Sequence, residues 1–196
     1  ASKDGVLEVT LNAGVRETIV AGKTVTVANF NGAFPGPTWV ANPGDTIRVH
    51  LENNLDQFTN LHTHGFHVSP LANGDNVFIE IDPGTSFDYE YQLPDTHPDG
   101  VYWYHPHPHG ITEQQNTSGM VGSILLGGGL DKVPGVEGLP RQHLFLQLNQ
   151  FADNGMQVPI AEQTAAKQMR LVNGQYQPVI AIAPGETQRW SVSNAA

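Results

Sequence analysis

Between residues 6 and 126 the chain is a succession of short apolar-rich runs, each closed by Gly, Pro, Asn or Asp, and this cadence restricts it to a sheet protein. The runs are Val6–Leu11, Thr18–Ala28, Thr46–Glu52, Asn60–Ser69, Ser86–Leu93, Val101–His107 and Met120–Leu126. No apolar repeat at the helical period competes with them. The 21 glycines and 14 prolines supply the turns that such a chain needs and disfavour long helices. The expected fold is all-β, a Greek-key sandwich or barrel.

The chain also repeats itself. Asn31-Gly32, Pro37 and Pro43-Gly44-Asp45-Thr46, with Arg48 and Asn53, recur in order as Asn173-Gly174, Pro178 and Pro184-Gly185-Glu186-Thr187, with Arg189 and Asn194. Matching order over several features reads as a duplication rather than as chance Pro-Gly turns. Residues 1–131 are then expected to form a first unit, 132–140 a Gly/Pro-containing linker, and 141–196 the opening of a second unit with strand-like His143–Asn149 near its start. The second copy stops before counterparts of the histidine-bearing runs, too short to close a sandwich, so the chain is expected to be truncated relative to its parent.

Nine Lys and Arg stand against nineteen Asp and Glu, a formal charge of −10 that argues against nucleic acid or an anionic membrane as partner. No run approaches the ~20 apolar residues of a membrane span. The first residues, Ala-Ser-Lys-Asp-Gly-Val-Leu-Glu-Val, lack the features of an export signal, so any such signal is expected to have been removed. Cysteine is absent, which excludes disulfides and thiolate chemistry within these residues. A blue-copper electron-transfer site, which needs a Cys sulfur and two His, cannot be complete here.

Nine histidines in 196 residues would give roughly 0.4 His-x-His pairs by chance, whereas three occur, at 62/64, 105/107 and 107/109. Side chains alternate along a strand, so His62 and His64 share a face, as do His105 and His107. Paired strands would merge them into a patch of four imidazoles wide enough for more than one metal ion. Imidazole suits Cu, Zn, Fe or Ni, and neither motif carries a carboxylate for Mg or Ca. Ligand chemistry alone leaves zinc open. An inward-facing lone His is ordinarily a hydrogen-bonded core residue; four at paired spacing, flanked by Thr63, Gly65, Pro106 and Pro108, point to a metal site.

Asn60-Leu-His-Thr-His-Gly-Phe-His-Val-Ser-Pro70 and Tyr102-Trp-Tyr-His-Pro-His-Pro-His-Gly110 resemble the first two copper-binding motifs of the multicopper oxidases. Phe30–Thr38, Pro43–Val49 and Ser118–Leu126 are similar to stretches of that family's first cupredoxin domain, and Leu171–Ala195 to the opening of its second. The resemblance implies a cupredoxin-like Greek-key unit followed by an incomplete second one. It implies that His62 binds the type 2 copper, while His64, His105 and His107 bind the type 3 pair. The other half of the cluster's ligands, and the type 1 copper, would lie in missing residues of a C-terminal domain or a partner chain. The implied activity is that of a laccase-like oxidase, secreted or periplasmic. It would oxidise phenols, aromatic amines or metal ions by single electrons and reduce O₂ to water, with this fragment inactive alone. A three-domain parent is favoured over a two-domain one, because the second repeat begins without an intervening type 1 Cys.

Asp75 resembles the family's acidic residue near the type 2 copper, a candidate catalytic proton relay; a turn Asp within Asn73-Gly-Asp-Asn76 is the plainer alternative. His109 is expected to lie outside the ligand set, His67 to be structural, and Trp103 either to pack beneath the cluster or to be an ordinary core aromatic. His50, His97 and His143 read as surface or turn residues, and Met120 as core. The competing function is a non-catalytic metal-binding or structural cupredoxin module. Copper held by unperturbed imidazoles is expected to fade below about pH 6.

Overall fold

The computed structural model describes residues 1–196, and strands account for most of the regular structure. Strands β1 (Val6–Val20), β2 (Lys23–Phe30), β4 (Thr46–Asn54) and β6 (Ser86–Gln92) form one sheet in the order β2-β1-β4-β6. A second sheet joins β3 (Trp39–Ala41), β8 (Gly122–Leu126), β7 (Gly100–His105) and β5 (His62–His64) in the order β3-β8-β7-β5. The third sheet, β11-β10-β9-β12, is built from β9 (Arg141–Asn149), β10 (Met169–Val172), β11 (Gln175–Tyr176) and β12 (Arg189–Asn194).

Alternation along each strand decides what is buried. In β4, Ile47, Val49 and Leu51 face the core, while Arg48, His50 and Glu52 face outward. Together with Leu11, Phe30, Tyr89, Tyr91, Ile124 and Leu126 they belong to one hydrophobic cluster shared by the first two sheets. Tyr104 and Trp39 are stacked inside it, with centroids 4.0 Å apart and planes 11° apart. That buried layer fixes β7 from behind, and β7 carries the residues of interest.

Three local features differ from the sequence expectation. Thr18–Ala28 is a hairpin rather than one strand, because Ala21 and Gly22 both adopt positive φ, as a tight two-residue turn between twisted strands requires. Asn60–Ser69 yields only the three-residue β5; Gly65, at φ 90°, turns the chain away. A helix, α1 (Thr112–Ser118), occupies a stretch with no apolar period, and the residues it buries are polar, Gln115 and Ser118. Gln115 is held by tertiary bonds, accepting from Thr59 Oγ1 at 2.8 Å and donating to the Phe58 carbonyl at 3.0 Å. Such a helix is specified by partners distant in the chain, which a local pattern does not reveal.

The repeated sequence marks repeated contacts. Asn31 Oδ1 accepts from the Asn12 N–H at 2.6 Å, and its amide donates to the Thr10 carbonyl at 2.9 Å. Asn173 Oδ1 accepts from the Phe145 N–H at 2.8 Å, and its amide donates to the His143 carbonyl at 2.9 Å. Both asparagines sit at positive φ, 57° and 52°, ahead of a glycine. In both copies the first strand also runs parallel to the strand after the Pro-Gly turn, β1 with β4 and β9 with β12. No helix is long and apolar enough to cross a membrane.

Candidate metal centre

Antiparallel pairing of β5 with β7 places His62 opposite His105 and His64 opposite Trp103. The rings of His62 and His105 are 5.2 Å apart, and those of His62 and His64 5.7 Å. His107 lies beyond the ladder, since Pro106 has no N–H to continue it, yet its ring is 5.4 Å from that of His62. One donor atom from each of His62, His64 and His105 fits within 4.8 Å of the others. The four predicted imidazoles are therefore contiguous, with His62 at their middle. His105 is buried, His62 partly so, and His64 and His107 are exposed, so the group opens to solvent on one side.

Each ring is aimed by something behind it. Asp75 receives His62 Nδ1 at 2.9 Å from Oδ2, and its Oδ1 accepts the Thr63 N–H at 2.9 Å. With a proton on Nδ1, the lone pair of His62 is on Nε2. His105 Nδ1 donates to the Pro106 carbonyl at 2.8 Å, which leaves its Nε2 free, 3.4 Å from His64 Nδ1. Trp103 stacks on His105 at 4.1 Å and on His64 at 4.9 Å, and so packs beneath the cluster. Asn60, fully buried, accepts the His107 N–H at 2.6 Å while donating to the Val77 and Ile79 carbonyls. Sequence reasoning passed over Asn60 as a functional residue, although it stands at the head of the first motif.

Burial drives His105 down from 6.5 to about 4, with the Pro106 carbonyl opposing and the three neighbouring imidazoles reinforcing. His64 is lowered mainly by burial, then by His62 and His107, against the pull of Asp75. At neutral pH both are uncharged donors, as a cation requires. The threshold of an ordinary imidazole therefore does not apply to His105. Because the unfolded chain takes up this proton at a higher pH than the folded one, stability is full above about pH 6.5 and drains as pH falls toward 4. The metal-free protein is expected to lose about 3 kcal/mol across that window from His105. Thermal melts of wild type against His105→Gln check this; equal pH slopes would contradict it.

The donors suit a late first-row ion: neutral nitrogens converge, and the one nearby carboxylate, Asp75, is engaged behind His62. Copper and zinc both fit such a set.

The remaining histidines divide differently from expectation. His97 is buried, not at the surface; its Nε2 accepts the His67 N–H at 3.0 Å and its ring packs on Phe66 and Tyr102. His143 is half-buried, with Nε2 2.6 Å from Ser123 Oγ, a contact between the third and second sheets. His50 stays at the surface beside Asp88, His109 is exposed past Pro108, and Met120 is fully buried core.

A β-sandwich that gathers imidazoles from two paired strands defines a class of metal-binding all-β proteins. Residues 13–128 match the family described as Multicopper oxidase, and the chain belongs to that family. It is 43% identical over 81 residues to Laccase-1 of Cryptococcus neoformans var. neoformans serotype D, covering 39% of this chain and 13% of that protein. It is 35% identical over 126 residues to a Copper resistance protein A homolog of Pseudomonas syringae pv. tomato, covering 61% and 19%. In fold it is similar to a multi-copper oxidase from Pseudomonas thermotolerans, with a TM-score of 0.77 at 23% identity over 97% of this chain and 46% of that one. The chain thus spans less than a fifth of these two curated relatives' length.

Proposed function

We propose that this chain is part of a laccase-like multicopper oxidase, supplying half the ligands of a trinuclear copper cluster. His62 serves the type 2 copper, and His64, His105 and His107 the type 3 pair. Residues 1–131 form the first cupredoxin-like unit, 132–140 join it to the next, and 141–196 open that second unit. A further domain or a partner chain completes the cluster and brings the type 1 copper. The protein works in the periplasm or outside the cell on phenols, aromatic amines or metal ions. The observation that carries this reading is the contiguity of four imidazoles: His62, His64 and His105 each bring a ring nitrogen within 4.8 Å of the others, and the His107 ring lies 5.4 Å from that of His62.

When bound, copper of this kind supplies the redox chemistry that couples four single-electron oxidations of substrate to reduction of O₂ to water. The chain's residues contribute placement and protons. Asp75 fixes the His62 ring through Nδ1, and its carboxylate is the relay that passes protons toward the cluster. Trp103 walls one side of the centre against water, and Asn60 fixes the backbone of His107.

Copper analysis, EPR and oxygen uptake on the full-length protein test the reading. A type 2 signal and reductant-dependent oxygen consumption are expected; neither, together with no bound copper, would favour a structural module instead. Within that protein, Asp75→Asn keeps an oxygen for the Thr63 N–H but loses the carboxylate. It is expected to lower kcat by about 10- to 100-fold with copper content retained, and more steeply at higher pH. An unchanged pH–rate profile would remove Asp75 from proton delivery.

A further inference from the structure

Helix α1 does more than cover the sheet. Its Gln115 is locked to Phe58 and Thr59, so the next residue, Asn116, is presented at a fixed position beside His105. The Asn116 amide has one orientation that satisfies every neighbour. Its oxygen then accepts from His105 Nδ1 at 3.1 Å, and its nitrogen donates to the Pro106 carbonyl at 3.0 Å and the Thr112 carbonyl at 3.3 Å. The opposite orientation would set an oxygen against two carbonyls.

We propose that Asn116 is a positioning residue for His105: it holds the proton on Nδ1 and keeps Nε2 bare and aimed at the cluster. Resting on the oxidase reading above, the assignment names the residue that sets one ligand's tautomer. Two acceptors, Asn116 Oδ1 and the Pro106 carbonyl, surround the same N–H. The Asn116 nitrogen also restrains that carbonyl, so a single amide governs both. Without it, the Pro106 carbonyl alone, itself no longer restrained by the amide, holds that proton, and the tautomer protonated at Nε2, which blocks metal, gains population. Outer partners of metal-bound imidazoles typically change affinity by about 10- to 100-fold.

The test uses the full-length protein with ¹⁵N-labelled histidine, first metal-free and then titrated with Cu²⁺. His105 is assigned by its loss in His105→Gln. In wild type, long-range ¹H–¹⁵N correlations are expected to show His105 protonated only at Nδ1. Asn116→Leu, similar in size with no acceptor, is expected to give a mixture of tautomers and copper binding weaker by about tenfold. Asn116→Asp keeps the acceptor for His105 Nδ1 while losing the donor to the two carbonyls, and is expected to retain the wild-type tautomer. Asn116→Ala reads the same two quantities where the Leu variant does not give a native spectrum. A wild-type tautomer and affinity in the variants lacking the acceptor would overturn the proposal, as would an Asp variant that shows the mixture of tautomers expected of Leu. A wild-type protein that binds no copper would sink the oxidase reading, while the metal-free tautomer comparison would still decide whether Asn116 orients His105.

Discussion

His105→Ala is expected to weaken copper binding at the histidine cluster by more than about a hundredfold, beyond the loss that follows removal of an outer partner. His105 pairs with His62 across the ladder, is the most buried of the four rings, and presents its free nitrogen toward His64. Its removal leaves a gap at the floor of the site, where no other donor can move in because Trp103 is stacked there. His107→Ala should cost copper as well but little stability, since that ring is exposed and its backbone stays tied to Asn60. Copper content after dialysis against a weak chelator measures both. Full occupancy in the His105 variant would mean that copper is held elsewhere.

Tyr104→Ala is expected to destabilise the protein by about 3–5 kcal/mol, the usual range for emptying a large aromatic site in a core. For a chain of this size that corresponds to a fall in Tm of roughly 6–20 °C. Tyr104 is fully buried, stacks on Trp39, donates its hydroxyl proton to the Pro37 carbonyl at 2.6 Å, and fills the space left by the bare faces of Gly36 and Gly122. It also stands between Trp103 and His105 in β7, so the same substitution should loosen the cluster and lower copper affinity. Denaturant or thermal unfolding checks the first effect; a shift under about 1 kcal/mol would show that the neighbours collapse into the gap.

The histidine cluster was legible because its information is local: two His-x-His pairs on strands must share faces, and only the pairing of β5 with β7 had to be supplied by the fold. The all-β class was legible for the same reason, through alternation in β4 and the Gly and Pro turns. What escaped is non-local. Gln115 and Asn116 sit in a polar run with no period, and their meaning lies in Thr59, Phe58 and His105, far along the chain. Asn60 acts through carbonyls at 77 and 79. His97 looks like a loop residue in Thr96-His-Pro98, yet Phe66 and Tyr102 bury it. Asp75 was legible only by resemblance, because its contact with His62 is made by the fold and not by a local pattern.

Diffraction from crystals of the copper-loaded full-length protein, recorded at the copper absorption edge, bears most directly on the shared metal site. Anomalous peaks at about 2 Å from ring nitrogens of His62, His64, His105 and His107, the usual metal–imidazole distance, are what this account predicts. Peaks lying away from these four rings, with the rings still bonded only to protein and water, would contradict it.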